Sequence, residues 1–566
     1  MLKPIESPLS YYLHIAKDEH KKNVDECLKV FTDQANINRE ENAQTVASYH
    51  EEVSKAEQLY KQVKGKKTGK TLSIIGIVLA FILVSVLCFQ LQVQESVQTA
   101  LFLGCIAGLV VALIFTCKAF NKSIRELEDK HFAQCQTADR ELEKANAQMQ
   151  PLNDSFPEKL CLRLMEKTLP CFAFDEFFTQ QRLQQLGQYG MAQTIPFDES
   201  VLETLSGELH GYPFVYDKRR RHYIGSKTYT GSITIHWTTH ERNSKGELTT
   251  RHHSQTLTAT VSKPYPEYYV TTTLRYGNDG ADQLSFSRTY AHAEDQSEKQ
   301  LERTLKKGEK KLQKLETKAL REGDDFTQVE NTQFEVLFNA TNRSDELEFR
   351  EMFSMKAQQN MVDLLLHSEG YGDDFEFIKE GKMNIIRSEH SQTRDLCLPA
   401  SEYRSYDINQ AERFFRDKNN EFFQAVYFDF APLLATPLYQ QNIRASQAIT
   451  DGNYTDYNHE QYANEMAEKL LPTPCDTSCI FKTTLLNREN GMEIVEVRAS
   501  GYYGEERVDY ISKIGGDGRF HNVPVYWVEY IPVERVTRLK IFPVQAGERI
   551  PAHAIPLSGA YAYIVE

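Results

Sequence analysis

Residues 71–90 read TLSIIGIVLAFILVSVLCFQ, and after LQVQES (91–96) residues 97–118 read VQTALFLGCIAGLVVALIFTCK. Neither Leu72 to Phe89 nor Val97 to Cys117 contains an Asp, Glu, Lys or Arg. Each run has the roughly 20 residues a helix needs to cross about 30 Å of hydrocarbon. Thirteen residues from Leu72 to Phe89 are Leu, Ile, Val or Phe, and each favours insertion by about 0.3–0.6 kcal/mol. Segment 71–118 therefore reads as a transmembrane hairpin with spans at 72–92 and 97–117.

The flanks set its orientation. Lys61, Lys64, Lys66, Lys67 and Lys70 precede the first span and Lys118, Lys122 and Arg125 follow the second, while the loop Gln90 to Ser96 has only Glu95. The positive-inside bias puts both termini in the cytosol. Lys64, Lys66, Lys67 and Lys70 are placed to meet anionic headgroups, so membrane lipid is the first expected partner. Their stretch GKKTGKT (65–71) is no P-loop, because Gly65 and Gly69 are separated by three residues and a membrane span follows. Small residues recur every four positions at Gly76 and Ala80 and at Gly104, Gly108 and Ala112. That stripe predicts close packing within the hairpin, with a seam between two hairpins as the alternative.

Outward from the spans, both flanks carry helical periodicity. Val46, Tyr49, Val53, Ala56, Tyr60 and Val63 follow 3-4 spacing, and Phe120, Ile124, Leu127, His131, Ala138, Leu142, Ala145 and Met149 answer them. Residues 18–63 read as one helix, with a stutter after Ala35 and Asn38 and Asn42 in its seam. Segments 1–70 and 119–150 are thus expected to form the arms of an antiparallel stalk, about 45 Å long at 1.5 Å per residue. The fold class is an α+β membrane protein: hairpin, stalk, then a cytosolic α+β region with antiparallel sheets.

The remaining chain divides into 151–290, a helical lead-in over 158–206 and an antiparallel β domain; 291–325, a charged helix; 326–475, an α+β region; and 476–566, a β-rich end. GSITIHWTTHER and SQTLTATVSKPYPEYYVTTTLRYGN alternate in the manner of strands, with a hairpin turn at Asn243 to Gly246. Residues 294–322 carry nine basic and seven acidic side chains around a thin leucine stripe, as a solvated helix does. FEFIKEGKMNIIR (375–387) reads as a strand pair about Glu380-Gly381.

FEVLF (334–338), Arg343, ELEFREMF (346–353) and MVDLLL (361–366) together resemble uncharacterised bacterial membrane proteins with a transmembrane hairpin and a cytosolic α+β domain. The resemblance implies a two-pass protein of the bacterial inner (cytoplasmic) membrane. It carries no catalytic residue.

A net charge of −14 argues against nucleic-acid binding. The ten cysteines lack a disulfide framework, and Cys475 and Cys479 lack a second pair at zinc spacing. There is no G-x-S-x-G, H-E-x-x-H, Walker A or G-x-G-x-x-G motif. His236 and His240 share a strand face with His252 across the turn, a candidate three-histidine metal site. GGDG (515–518) reads as a tight turn, with Asp517 and His521 a candidate acid–base pair. The reading favours a non-enzymatic, membrane-anchored cytosolic scaffold or partner-binding protein, homo-oligomeric or held by another protein, with no cofactor. Its alternative is an enzyme or metal-dependent sensor using the histidine-bearing sheet or the GGDG turn.

Overall fold

The structure is a computed structural model describing residues 4–90, 95–191, 195–242, 246–323, 325–367, 371–441, 443–447, 456–470, 475–489, 491–544, 550–551, 553–557 and 560–565. It is α+β with antiparallel sheets, and it divides into two units, one of 24–157 with 400–418 and one of 1–23, 158–399 and 419–566.

The first unit is built on two long helices, Arg39–Gln90 and Glu95–Asn153. They run antiparallel: Asn42 Nδ2 donates to Gln148 Oε1 at 3.3 Å, Tyr60 and His131 rings lie 5.8 Å apart, and Lys70 Nζ donates to Asn121 Oδ1 at 2.8 Å. Val46, Ala56, Val63, Ile124, Ala138, Ala145 and Met149 are buried, all of them positions of the 3-4 pattern. The helix expected over 18–63 is instead two, because Asn36 adopts a left-handed φ of 47° between Lys17–Ala35 and Arg39–Gln90. Asn42 then serves as an anchor, donating to Tyr406 O at 3.0 Å and accepting from Ile408 N at 3.1 Å.

Among the described residues one helical stretch, Ile106–Asn153, is long and apolar enough to cross a membrane. The small-residue stripe does not form the contact between the two helices. Gly76, Ala80, Gly104, Gly108 and Ala112 are exposed, and a Cβ at any of these glycines would meet nothing within 4 Å. Among the described residues the half-buried positions include Ile74, Ile77 and Phe81 on one helix and Leu109, Leu113 and Phe120 on the other.

The second unit holds two sheets. Strands β1 (Phe172–Phe174), β2 (Glu199–Leu209), β3 (Tyr212–Arg242), β4 (Leu248–Gly277), β5 (Ser285–Arg288), β6 (Phe375–Glu380) and β7 (Met383–Ser388) form one, in the order β1-β2-β3-β4-β7-β6-β5. Strands β8 (Ile480–Glu489), β9 (Met492–Ile514), β10 (Phe520–Pro543), β11 (Ile555–Leu557) and β12 (Ala560–Val565) form the other, in the order β11-β12-β10-β9-β8. Every pairing is antiparallel. One core gathers side chains from Ile5 to Tyr457, so the segments divided by sequence at 290 and 325 share a sheet and a hydrophobic interior. A smaller core under the second sheet uses the alternate residues Val495, Val497 and Ala499 with Leu539 and Ile541.

Several local expectations change. The lead-in over 158–206 is mixed, with helices Leu160–Thr168 and Gln180–Gly187 between which β1 joins the sheet, and β2 begins at Glu199. FEVLF, which the sequence reads as a short strand or turn, is helical, Thr332–Phe338, because the Asn331 side chain accepts from Phe334 N at 3.1 Å and Asn339 closes the helix at φ 53°. The charged helix runs Glu298–Glu322 between a Ser297/Gln300 capping box and Gly323. The strand pair about Gly381 forms as read, with Gly381 at φ 57°.

Candidate interaction arm

Two strand pairs outgrow their sheets. β2 pairs with β3 only as far as Arg221, and β7 pairs with β4 only over Leu274–Gly277. The remainder, 222–242 paired with 248–268, is a two-stranded ribbon spanning roughly 70 Å at about 3.3 Å per residue. In the other sheet, 501–514 paired with 520–533 forms a second ribbon, roughly 45 Å long by the same rise. An isolated ribbon is marginal in water; these two pack face to face.

The apolar centre of their contact is built at odd-numbered positions. Ile235, Leu257, Ala259, Val523 and Val525 are buried together, with Trp237 and Ile511 packed against them. Gly231 permits the approach, because a Cβ there would lie 2.0 Å from Pro524 O. Lys263 Nζ sits 2.7 Å from Asp509 Oδ2 and 4.1 Å from the Trp527 ring centre, and Trp527 Nε1 donates to Asp509 Oδ1 at 3.0 Å. Tyr265 meets Tyr530 edge to face at 5.3 Å. At the far end Gly516 N donates to Gln255 Oε1 at 2.7 Å. Both tryptophans of the chain thus belong to the contact.

The outer faces differ in kind. On the first ribbon the even positions from Ser226 to His240 lie opposite Thr250 to Pro264, giving a ladder of hydroxyls and imidazoles. Thr228 and Ser262, and Thr234 and Thr256, are hydrogen-bonded across it at 3.1 Å. On the second ribbon the even positions carry Val508, Tyr510, Ile514, Phe520 and Tyr526, which are 38%, 64%, 62%, 75% and 71% exposed. An exposed apolar face of this kind is a candidate interaction surface.

His236, His240 and His252 lie on the hydroxyl face, all exposed, opposite Ser254, Thr250 and Thr238 respectively. They do not converge. His236 and His240, four residues apart on one extended strand, are roughly 13 Å apart, too far to share an ion, and His240 Nδ1 instead lies 3.1 Å from Thr250 Oγ1. Among the described residues the metal-capable trio is His292, Glu294 and Asp295, with donor atoms within 4.8 Å of one another. Glu294 is already engaged there, its Oε2 accepting from Asp373 N at 2.9 Å.

Asp517 and His521 do meet: His521 Nε2 is 3.0 Å from both Asp517 oxygens. That hydrogen bond, with the Arg519 N–H, holds the Asp517 carboxyl below its usual range. The pair closes the turn, in which Gly515 N donates to Arg519 O at 2.8 Å and Gly518 has φ 76°. Of the lysines, Lys67 pairs with Glu128 at 2.8 Å and Lys70 reaches Asn121, whereas Lys64 and Lys66 are exposed. Cys479 is buried and its thiol is pushed up to about 12 by that burial, an inert setting.

The sequence reading missed a buried ionic network in the larger core. His390 Nδ1 lies 2.5 Å from Asp374 Oδ2, and His390 Nε2 lies 3.2 Å from Asp429 Oδ1. Asp429 also pairs with Arg394 and accepts from Tyr216 Oη at 2.7 Å. Burial works against the charged imidazole, but Asp429 and Asp374 override it and hold His390 up at about 9. Burial would likewise raise Asp429, yet Arg394 and His390 keep it well below the carboxylate range. A second such group joins Arg182 to Asp175 and Glu208. Lys379 is also buried, with Nζ donating to Gly280 O at 3.1 Å and Gly381 O at 2.7 Å, and burial pushes it down to about 7. Comparison with protein-family models, curated proteins and solved structures found no match.

Proposed function

We propose that this chain is a membrane-anchored scaffold or partner-binding protein, with the paired-ribbon arm as its binding element. The observation that carries the reading is the arm itself. Two ribbons that leave separate sheets are fastened along their length by Gly231, the Lys263–Asp509–Trp527 group and a small apolar core. What this rigid element presents outward is an exposed aromatic and aliphatic face. Packed cores leave such surfaces only where something covers them.

The anchor in this reading is the hairpin with spans at 72–92 and 97–117, crossing a bacterial inner membrane twice with both termini cytosolic. It is supported by the outward apolar side chains of both helices, such as Leu72, Leu79 and Leu83 and Leu103, Val111 and Phe115, which are 60–76% exposed. Lys64 and Lys66 remain free in this arrangement for anionic headgroups. His236 and His240 are too widely spaced on their strand to share an ion, and Asp517 and His521 are spent on closing their turn, which favours the binding reading over the enzymatic one.

The test is the polypeptide mass of the full chain after extraction in mild detergent. A mass above the 65.2 kDa of one chain, from further copies or a second protein, is expected. A monodisperse single chain that captures nothing would refute the proposal.

A further inference from the structure

Two cysteines 236 residues apart in the sequence meet at the larger core, with their sulfurs at 3.5 Å. Cys161 lies in the first turn of the helix Leu160–Thr168, and Cys397 in the segment between β7 and the helix Ile408–Leu434. The backbone on both sides of Cys397 is held: Leu396 N donates to Glu203 Oε2 at 2.6 Å and Leu398 N donates to Cys161 Sγ at 3.3 Å. The same segment is tied at Gln392, whose Oε1 accepts from Thr272 N at 2.8 Å, at Arg394, paired with Asp429, and at Asp395, 3.2 Å from Lys218 Nζ. It thereby joins β2, β3 and β4 to two helices. The sulfurs have about 1.5 Å to close before they reach the roughly 2.05 Å of a disulfide. Their surroundings give the two thiols different parts. Cys161 Sγ accepts the Leu398 N–H. The hydrogen that Cys397 shares with Cys161, and then burial, hold the Cys397 thiol well above its usual range. Charge on the pair therefore rests on Cys161. Cys161 is buried and Cys397 partly exposed, so a small oxidant reaches the pair from the side of Cys397.

We propose that Cys161 and Cys397 form a redox-modification site, closed to a disulfide by hydrogen peroxide, that clamps segment 389–398 onto the helix Leu160–Thr168. That the bond is a response and not a permanent staple rests on the cytosolic placement proposed above, where thiols are kept reduced at rest. The Cys161 thiolate attacks one peroxide oxygen; a sulfur–oxygen bond forms, the oxygen–oxygen bond breaks, and the released hydroxide takes a solvent proton. The Cys397 sulfur then attacks that of Cys161; the sulfur–sulfur bond forms, the sulfur–oxygen bond breaks, and hydroxide departs as water with the Cys397 proton. Two electrons pass from the sulfurs to the peroxide, which ends as two waters. Because the bond closes so long a loop, it also restricts the unfolded chain.

The test uses the full chain in mild detergent, reduced and then freed of reductant. After a pulse of hydrogen peroxide, remaining thiols are blocked in denaturant and the chain is digested without reductant. Mass spectrometry should find the Cys161 and Cys397 peptides joined, two hydrogens lighter than the separate pair, and dithiothreitol should part them. Without any substitution, the oxidised chain should unfold a few degrees higher than the reduced one and exchange its amide hydrogens more slowly over 393–398. Cys397→Ser should stop Cys161 at the sulfenic acid, trapped by dimedone, whereas Cys161→Ser should leave Cys397 a free thiol; the thermal midpoint of each reduced variant checks its folding. The proposal is overturned if both thiols of the wild type stay free after the pulse, or if they join only in denaturant. It is also overturned if dimedone marks Cys397 in Cys161→Ser and not Cys161 in Cys397→Ser. In unstressed cells both thiols should be free. A joined pair there, with a cysteine placed at Ser155 unreactive from outside, would overturn the switch and leave the topology standing; a joined pair with that cysteine reactive would overturn both.

Discussion

Gly231→Ala should loosen the arm, and the size of the effect follows from one distance. A Cβ at 231 would lie 2.0 Å from Pro524 O and 3.0 Å from Val525 Cα, where ordinary contact begins at 3.4 Å. Both obstacles are backbone within paired strands, so the ribbons must part by more than about 1 Å. Such overpacking costs about 1–3 kcal/mol. Alanine returns about 0.4–1 kcal/mol by restricting the unfolded chain. The net loss, about 1–2 kcal/mol, corresponds to an arm that opens about 5- to 30-fold more often. Hydrogen exchange of residues 231–237 and 509–527 measures this directly, and the two tryptophans, both in the contact, should shift their emission to the red. Unchanged exchange and emission in Gly231→Ala would refute the packed arrangement of the ribbons.

Three further outcomes are expected. His390 is held at about 9 in the fold, above its usual value near 6.5, so its stabilisation is complete below about pH 6.5 and is lost as pH rises through about 9. That displacement amounts to about 3 kcal/mol; denaturant titrations at pH 6 and pH 10 should show the loss in wild type and not in His390→Gln. Gly308→Ala should destabilise the fold by about 1–2 kcal/mol, because its Cβ would lie 2.3 Å from Val336 Cγ1. In a Val336→Ala background the same change should stabilise by about 1 kcal/mol, the helix preference of Ala over Gly, and a cycle without this reversal of sign would rule out the contact. A cysteine introduced at Gln94 should react with a membrane-impermeant reagent from outside intact cells and one at Ser155 should not; the reverse pattern would overturn the proposed topology.

The sequence made the helical pairing legible because each helix reports its neighbour through a 3-4 stripe: Val46, Ala56 and Val63 could be named before any fold was known. Side-chain size misled in the same region. Gly76 and Gly108 suggested close backbones, yet both are exposed while the larger Ile77 and Leu113 are half-buried. The length of the strands was partly hidden. Gly501 and Gly504 do not interrupt the β-rich end but lie within one strand, β9, where a Cβ would meet Cys475 Sγ at 3.0 Å and Val528 Cγ1 at 2.6 Å. Alternation alone could not show that Ile235 faces Val523 and Val525, because that contact joins residues nearly three hundred apart. The Asp374–His390–Asp429–Arg394 network was invisible for the same reason, and the single histidine at 390 gave no local signal. His236, His240 and His252 were correctly placed on one face; strand geometry then spaces them too widely for a shared ion.

The claim that the arm does the binding is met most directly by photo-crosslinking in native membranes, with a photoreactive phenylalanine at position 526 on the arm or at position 320 on the charged helix. Tyr526 is 71% and Leu320 77% exposed, so accessibility does not separate them. The account predicts a discrete adduct from position 526 that Gly231→Ala weakens. Adducts from position 320 with none from 526 would contradict it.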